Sequence, residues 1–242
     1  MQAWFESLKA DFILNFVQAK RWKYLLSGLG NTLIITLVAL LIGIVIGVVI
    51  AMVRSTYDKT ADGARKTIGR RLFGIADWFC RVYLTVLRGT PVVVQLMIIY
   101  FVIFASSDNG VMVAALAFGL NSGAYVAEIV RGGIMSIDNG QFEAGRSLGF
   151  NYVQTMRFII IPQTVKNVLP SLANEFITLL KETSVAGYVA VQDLTKGGDI
   201  IRSRTYSPFM PLIAVALIYL VVVMFFTKLV SILERRLRSS DH

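Results

Sequence analysis

An uncharged run from Thr32 to Val53 is the feature that most restricts the fold of this chain. The run is rich in isoleucine, leucine and valine, and no charged side chain interrupts it. A bilayer core about 30 Å thick requires about 20 helical residues, so the run is long enough to cross a membrane as one helix. A second such run extends from Phe209 to Thr227. These two segments predict an integral membrane protein.

Three further segments are apolar but contain polar residues. Every backbone polar group in a spanning segment must be satisfied within that segment, so helices are expected here too. The prediction is an all-α integral membrane protein with five transmembrane helices. The three weaker segments cover residues 83–105, which include Arg88 and Gln95, residues 111–126, and residues 165–180, which include Asn167, Asn174 and Glu175.

The basic residues predict the orientation of the chain. The net charge is +9; residues 54–81 carry seven lysines and arginines, residues 131–166 carry four and the chain after residue 227 carries four, whereas the loop over residues 181–208, with four, is expected outside. Cytoplasmic loops carry an excess of these residues, which places the N-terminus outside and the C-terminus in the cytoplasm. The basic residues lie between apolar runs and not in one tract with interleaved aromatics, so no nucleic-acid partner is predicted.

The composition disfavours several kinds of catalytic site. The chain has one histidine, His242, and one cysteine, Cys80. Histidine-based metal sites and a Ser-His-Asp triad are therefore not expected. The phosphate-binding pattern GxxxxGK[ST] is absent, so the chain is not expected to hydrolyse ATP by that route. We expect no cofactor in this chain and no enzymatic activity of its own.

Residues 1–27 form a polar and aromatic segment ahead of the first span. Phe5, Leu8, Phe12 and Phe16 recur at helical spacing. Two interpretations remain open: an amphipathic helix on the outer membrane interface, or an ordinary first helix packed against the bundle. The predicted organisation is thus residues 1–27 as an external segment, residues 28–235 as the transmembrane domain and residues 236–242 as a cytoplasmic tail.

The predicted cytoplasmic loop over residues 136–163 contains the strongest local signals. Asp138 is expected to cap a short helix, with Gln141 completing a box-like pattern. Gly149 is expected to end that helix, and Pro162 to break a second helical stretch. Two short helices with small surface residues suggest a docking element, although a re-entrant or merely connecting loop remains an alternative.

Motifs in this loop resemble a known family. Glu143-Ala144-Gly145, then Gly149, then Ile161-Pro162-Gln163 are similar to the EAA motif of the membrane subunits of ABC importers, with glycine in place of the second alanine. Further segments resemble the polar amino acid permeases of the histidine, glutamine, glutamate and arginine systems. These segments are Gly30–Leu33, Arg88–Pro91 with Gln95, Ala124–Ile134, Asn174–Phe176 and Lys181–Ser184.

The resemblance covers about residues 28–235 and implies a type I ABC importer permease fold in a bacterial plasma membrane. It implies import of polar L-amino acids, a second permease subunit, an external solute-binding protein, and ABC ATPase subunits that bind the ATP. It also implies a cytoplasmic coupling helix that contacts the ATPase. The residues assigned to that contact are Glu143, Ala144, Gly145, Arg146, Leu148 and Gly149.

Polar residues within the spans are functional-site hypotheses because their burial in a bilayer is unfavourable. Glu175 could receive the ammonium group of an amino acid, with Asn174, Thr178 and Gln95 adding hydrogen bonds. Bonding between helices is the open alternative for these residues. Arg88 and Glu128 are expected to form an ion pair with a structural or gating role. Pro91, and likewise Pro170, is expected to kink its span.

Two other classes of protein are alternatives to an ABC importer subunit. An ATP-independent secondary transporter or channel for small polar solutes would not need a docking element over residues 143–149. A membrane-embedded enzyme would need a cluster of histidine, aspartate, serine or cysteine at matched depth, and the sequence offers none.

Overall fold

The computed structural model describes residues 1–60 and 68–239, and within these ranges it contains helices and no β-strand. The predicted all-α fold class is therefore confirmed. The predicted tail over residues 236–242 and the basic loop residues Arg65 and Lys66 lie partly or wholly outside the described residues. The α-helices are α1 (Gln2–Phe12), α2 (Trp22–Thr60), α3 (Ile68–Gly89), α4 (Val92–Ile98), α5 (Gly110–Met135), α6 (Asn139–Ser147), α7 (Tyr152–Thr155), α8 (Ile161–Glu182), α9 (Leu194–Thr205) and α10 (Phe209–Ser239).

Three of the described helices, α2, α5 and α10, are long and apolar enough to cross a membrane. The predicted span over residues 83–105 is not one continuous helix, because α3 ends at Gly89 and α4 begins at Val92. Pro91 therefore lies in a complete break, stronger than the predicted kink. The two helices together also qualify as one broken span or a re-entrant loop. Helix α8 forms where the fourth span was predicted but is less apolar, so the count of five spans stays a prediction.

The chain divides into two compact units, and α2 and α8 each contribute to both. The first unit comprises Met1–Ala39, Val92–Phe118 and Ile177–Leu229. Its core packs the start of α2 against α9 and α10. The residues buried there are Phe16, Leu25, Leu194, Ile201 and Val215.

The N-terminal segment belongs to this first unit and combines the two predicted possibilities. Trp4 and Phe5 on α1 are exposed, whereas Asn15 and Phe16 are buried just after it. The Asn15 side chain donates a hydrogen bond to Ser207 Oγ at 3.2 Å and accepts one from Thr205 Oγ1 at 2.8 Å. The beginning of the segment is thus free to meet a membrane interface, and its end is anchored in the fold.

The second unit comprises Leu40–Pro91, Gly119–Phe176 and the described chain from Val230. It contains α3, α6, α7 and most of α5, together with the adjoining parts of α2 and α8. One apolar cluster joins α2 and α5 to the region of α6 and α7, and another packs α3 against α2 and α5. The charged and small residues singled out from the sequence lie mostly in this unit.

Candidate functional site

Helix α6 begins as the sequence predicts. Asp138 is its N-cap, and its carboxylate accepts a hydrogen bond from the backbone N–H of Gly140 at 2.6 Å. The expected box-like contact of Gln141 does not form. The Gln141 side chain instead accepts a bond from Gln163 Nε2 at 3.3 Å, which ties α6 to the start of α8.

The end of α6 is a Schellman turn centred on Gly149. Gly149 has φ +79°, a left-handed conformation that glycine adopts without a steric penalty. The Gly149 N–H donates to Arg146 O at 2.9 Å, and the Phe150 N–H donates to Gly145 O at 3.0 Å. These two bonds satisfy carbonyls that would otherwise be left without donors at the end of the helix. The prediction that Gly149 terminates this helix is confirmed.

One face of α6 is fixed against the rest of the second unit. Phe142 is buried in the apolar cluster that contains Val130, Ile134, Met156 and Ile160. Gly145 is also buried, and a Cβ atom at this position would lie 2.7 Å from both Oγ1 and Cγ2 of Thr155. Gly145 therefore faces its own chain in this unit, and its predicted contact with a partner stays a prediction.

The opposite face of α6 is free in the second unit. Leu148 leaves 71% of its surface exposed. We call the exposed set at this helix the α6 surface. It comprises Glu143, Ala144, Arg146, Leu148 and Gly149.

The segment after α6 differs from the prediction in one respect. Asn151 and Gln154 form a complete capping box at α7, with both hydrogen bonds at 2.9 Å. The helix then continues through a π-helical turn, Met156–Ile160, into α8. Pro162 does not break it, because the proline directly follows the π-helical turn, where the regular α-helical bonding pattern is already interrupted.

An open cavity of about 500 Å³ lies beside α6. Its walls come from the ends of α2 and α5 and from α6 and α7, all within the second unit. Glu143 and Arg146 of the α6 surface stand at this cavity, together with Asp58. A charged or polar group of a docked partner could therefore enter next to the helix.

Arg88 and Glu128 form the ion pair that the sequence predicts, with Arg88 Nη1 3.5 Å from Glu128 Oε1. The structure adds a closer partner, because Arg54 Nη1 lies 3.1 Å from the same oxygen. Asp77 is buried, with 3% of its surface exposed. Its Oδ2 atom lies 2.6 Å from Arg81 Nε, and its Oδ1 atom lies 3.7 Å from Arg54 Nε. Sequence reasoning missed Asp77, although the Asp77–Arg81 spacing of four residues is typical of a helical ion pair.

The three predicted substrate-path residues on α8 do not share one face of the helix. Asn174 and Thr178 are exposed and share a face of α8 at a spacing of four residues. Glu175 is turned away from them and buried, and its Oε1 accepts a hydrogen bond from Ser122 Oγ on α5 at 2.8 Å. Gln95 is buried on α4 in the first unit. For Glu175, this geometry favours the alternative of bonding between helices.

The residues around α9 in the first unit form a polar cluster that sequence reasoning did not identify. Asp193 is fully buried and caps α9 by accepting from the N–H groups of Thr195 and Lys196. Burial raises the pKa of this carboxyl, and the hydrogen bonds oppose the rise. The hydrogen bond from Arg202 and a second from Lys196 lower the pKa of Asp199. These contacts give a predicted loop a rigid structure.

Residues 1–60 and 68–239 contain no group of three or more histidine, cysteine, aspartate or glutamate side chains arranged to hold a metal ion. The described charged residues instead pair carboxylates with arginines.

Comparison with known proteins gives consistent relationships. A putative glutamine transport system permease protein of Rickettsia bellii is 40% identical over 162 residues, which cover 66% of this chain and 74% of that protein. An arginine transport system permease protein of Bacillus subtilis is 40% identical over 167 residues, or 68% and 76% of the two chains. The crystal structure of an amino acid ABC transporter with histidines matches with a TM-score of 0.78 at 40% identity, covering 91% of this chain and 97% of the other.

The family comparison covers the larger part of the chain. Residues 43–239 match the profile described as the binding-protein-dependent transport system inner membrane component. That range includes α6, the ion pairs and all of α8. The chain therefore belongs to the family of inner membrane components of binding-protein-dependent transport systems, which are permease subunits.

Proposed function

We propose that this chain is the permease subunit of an ABC importer that moves polar L-amino acids into the cytoplasm. Its relatives at 40% identity are named for glutamine and for arginine, and a similarly related structure is an amino acid transporter. Those substrates share an α-ammonium and an α-carboxylate group but differ in side-chain charge. The proposal therefore concerns the polar amino acid class and not one member of it.

The single observation that carries the coupling role is the rigid mounting of α6. Its start is capped by Asp138, its end is closed at Gly149, and Phe142 and Gly145 fix one face. The α6 surface on the other face offers a carboxylate, a guanidinium and an exposed leucine. A helix held at both ends transmits displacement of a bound partner, because it does not yield locally. We therefore assign Glu143, Ala144, Arg146, Leu148 and Gly149 to contact with the ATPase.

The remaining partners and the orientation follow from this proposal. The ATPase subunits bind ATP in the cytoplasm, so α6 faces the cytoplasm, in agreement with the basic residues around it. An external solute-binding protein would deliver substrate on the other side. A second permease subunit would complete the pathway. The segment over residues 1–27, with exposed Trp4 and Phe5, is proposed to lie on the outer interface, and residues 28–235 to form the transmembrane domain.

Within the pathway we assign Asn174 and Thr178 to the exposed face of α8 that meets the solute. Glu175 keeps α8 against α5 through Ser122. Arg88 and Glu128 are assigned a gating or structural role through their ion pair. Gln95 remains a candidate polar contact in the first unit.

Uptake by the reconstituted importer tests this function. Proteoliposomes would contain this chain, its ATPase and its binding protein, with radiolabelled amino acids outside and ATP inside. We expect ATP-dependent accumulation of polar amino acids, and a loss of accumulation in Leu148→Asp with the permease still inserted. Accumulation without ATP, or exclusive transport of an unrelated solute class, would refute the proposal.

A further inference from the structure

A layer of ion pairs crosses α2, α3 and α5 within the second unit. Four arginines take part: Arg54, Arg81, Arg88 and Arg131. Three carboxylates balance them: Asp58, Asp77 and Glu128. Among the residues that the structure describes, the arginines of this layer therefore exceed its carboxylates by one.

The excess charge lies at an open cavity of about 450 Å³. Arg54, Arg81 and Arg88 line this cavity, and Glu128 is the carboxylate among its lining residues. Glu128 Oε1 is closer to Arg54 than to Arg88, at 3.1 Å and 3.5 Å. The Arg88 side chain is 46% exposed and makes a loose contact with the Tyr125 ring, 5.8 Å from its centroid. Arg88 therefore has donors available to a further anionic group.

The cavity lies beside the first charged residue that follows the first apolar span. Arg54 directly follows the uncharged run Thr32–Val53, so the layer marks the edge of the hydrocarbon region. The side chain of Arg88 reaches back to this layer, as long basic side chains do near the ends of membrane helices. The basic loops place this edge on the cytoplasmic side.

The wall of the cavity continues into an exposed apolar strip on α3. Arg81, Thr85 and Arg88 form one stripe of the helix at helical spacing. Trp78, Val82 and Val86 form the adjacent stripe, and their side chains are 57%, 39% and 50% exposed. A guanidinium cavity bordered by exposed apolar side chains suits a molecule with an anionic head and hydrocarbon tails.

We propose that this cavity binds the phosphate of an anionic phospholipid of the cytoplasmic leaflet, with the acyl chains along Trp78, Val82 and Val86. Basic pockets between membrane helices on this side are suited to anionic headgroups. The free donors of Arg88 and Arg81 bind the phosphate oxygens, and the guanidinium fork suits that geometry. The lipid thereby supplies the negative charge that the layer lacks. The inference depends on the proposed orientation but not on the transported solute.

Fluorescence quenching of Trp78 measures this binding. The chain has three tryptophans, so Trp4→Phe and Trp22→Phe leave Trp78 as the only tryptophan that this chain contributes to the assembled importer. The importer is placed in nanodiscs with brominated phosphatidylglycerol or brominated phosphatidylcholine. One unbalanced charge predicts about fivefold preferential binding of phosphatidylglycerol at Trp78. Arg88→Gln is expected to remove this preference, and Arg88→Lys to retain part of it.

Matched variants separate a local site from general electrostatics. Arg157→Gln removes an exposed arginine outside the cavity and is expected to keep the preference. If Arg88→Gln fails to assemble, Arg81→Gln provides the same test. Equal quenching by the two lipids, or a preference that survives both cavity variants, would overturn the proposal. So would loss of the preference on adding millimolar L-glutamine or inorganic phosphate, since the cavity would then bind the transported amino acid or a soluble anion.

Discussion

The tight contact between Gly145 and Thr155 allows the role of α6 to be tested with one methyl group. In Gly145→Ala the new Cβ would meet Oγ1 and Cγ2 of Thr155 at 2.7 Å. Rotation of the threonine cannot clear both atoms, because one of its two γ positions remains near the clash and a β-branched side chain has few rotamers. Helix α6 must therefore shift away from α7.

The size of the effect follows from the cost of overpacking. Inserting a methyl group into a well-packed site costs about 1–3 kcal/mol. Each 1.4 kcal/mol corresponds to about a tenfold change in an equilibrium, so α6 should occupy its native position about 5- to 150-fold less often. If the ATPase recognises α6 in that position, its affinity for the permease should fall by a similar factor.

The assay is titration of the ATPase onto the permease in nanodiscs, followed by ATP-driven uptake in proteoliposomes. The control is the double variant Gly145→Ala/Thr155→Ala. It removes both γ atoms and leaves the nearest atom at 3.2 Å. Thr155→Ala alone should be mild, because the buried Thr155 hydroxyl has no hydrogen-bond partner to lose. Normal affinity in Gly145→Ala, or a double variant no better than the single one, would refute the reasoning.

Three other predictions follow from single contacts. Gly149→Ala forces alanine to φ +79° and should weaken ATPase binding by about 1 kcal/mol, measured in the same titration; full affinity would mean that α6 does not need this ending. Glu175→Gln should leave substrate affinity within about twofold because the amide oxygen can still accept from Ser122, and a larger loss in uptake KM would return Glu175 to the substrate path. Burial raises the pKa of Asp193, so its stabilising contribution is complete below the ordinary aspartate value of about 4 and is lost as pH rises through the folded-state pKa. The pKa of Asp199 is lowered, so its stabilising contribution has the opposite pH dependence: it is present above the ordinary aspartate value and is lost as pH falls through the folded-state pKa. The melting temperature of the parent protein should therefore exceed that of Asp193→Asn by less as the pH rises. The difference between the parent protein and Asp199→Asn should instead increase as the pH rises.

Local chain signals predicted the ends of α6 well. A capping aspartate and a terminating glycine act through backbone groups a few residues away, so Asp138 and Gly149 could be identified without tertiary information. The inward position of Gly145 could not be identified in this way, because it depends on where the chain places Thr155 after the turn. Pro162 misled for a related reason. A proline breaks a regular helix interior, but the π-helical turn before it, which already interrupts the regular bonding pattern, is not visible in the sequence.

The membrane charges show a similar division. The pairing of Arg88 with Glu128 could be predicted from opposite charges near the ends of adjacent spans. The additional roles of Arg54 and Asp77 depend on how α2 and α3 pack, and long-range packing leaves little trace in a single sequence. Glu175 was a candidate because a carboxylate within a predicted span is unusual, with bonding between helices as the open alternative. Its place in the sequence does not reveal which neighbours that side of α8 meets, and one residue along the helix separates it from the face that Asn174 and Thr178 share.

The second unit connects α6 to its layer of ion pairs through one continuous apolar cluster. Phe142 of α6 packs in the cluster that also contains Ala51 of α2 and Val126 of α5. Arg54 follows Ala51 by three residues, and Glu128 follows Val126 by two, so the same helix turns contribute to the ion pairs. Close-packed interiors transmit displacement because they have little free volume to absorb it. A shift of α6 would therefore move the helices that hold Arg54 and Glu128, and an ion pair at 3.1 Å is sensitive to such a shift. Phe142→Ala should therefore uncouple α6 from the ion pair between Arg54 and Glu128. ATP hydrolysis would continue in this variant, while binding of the transported solute would no longer respond to ATP hydrolysis.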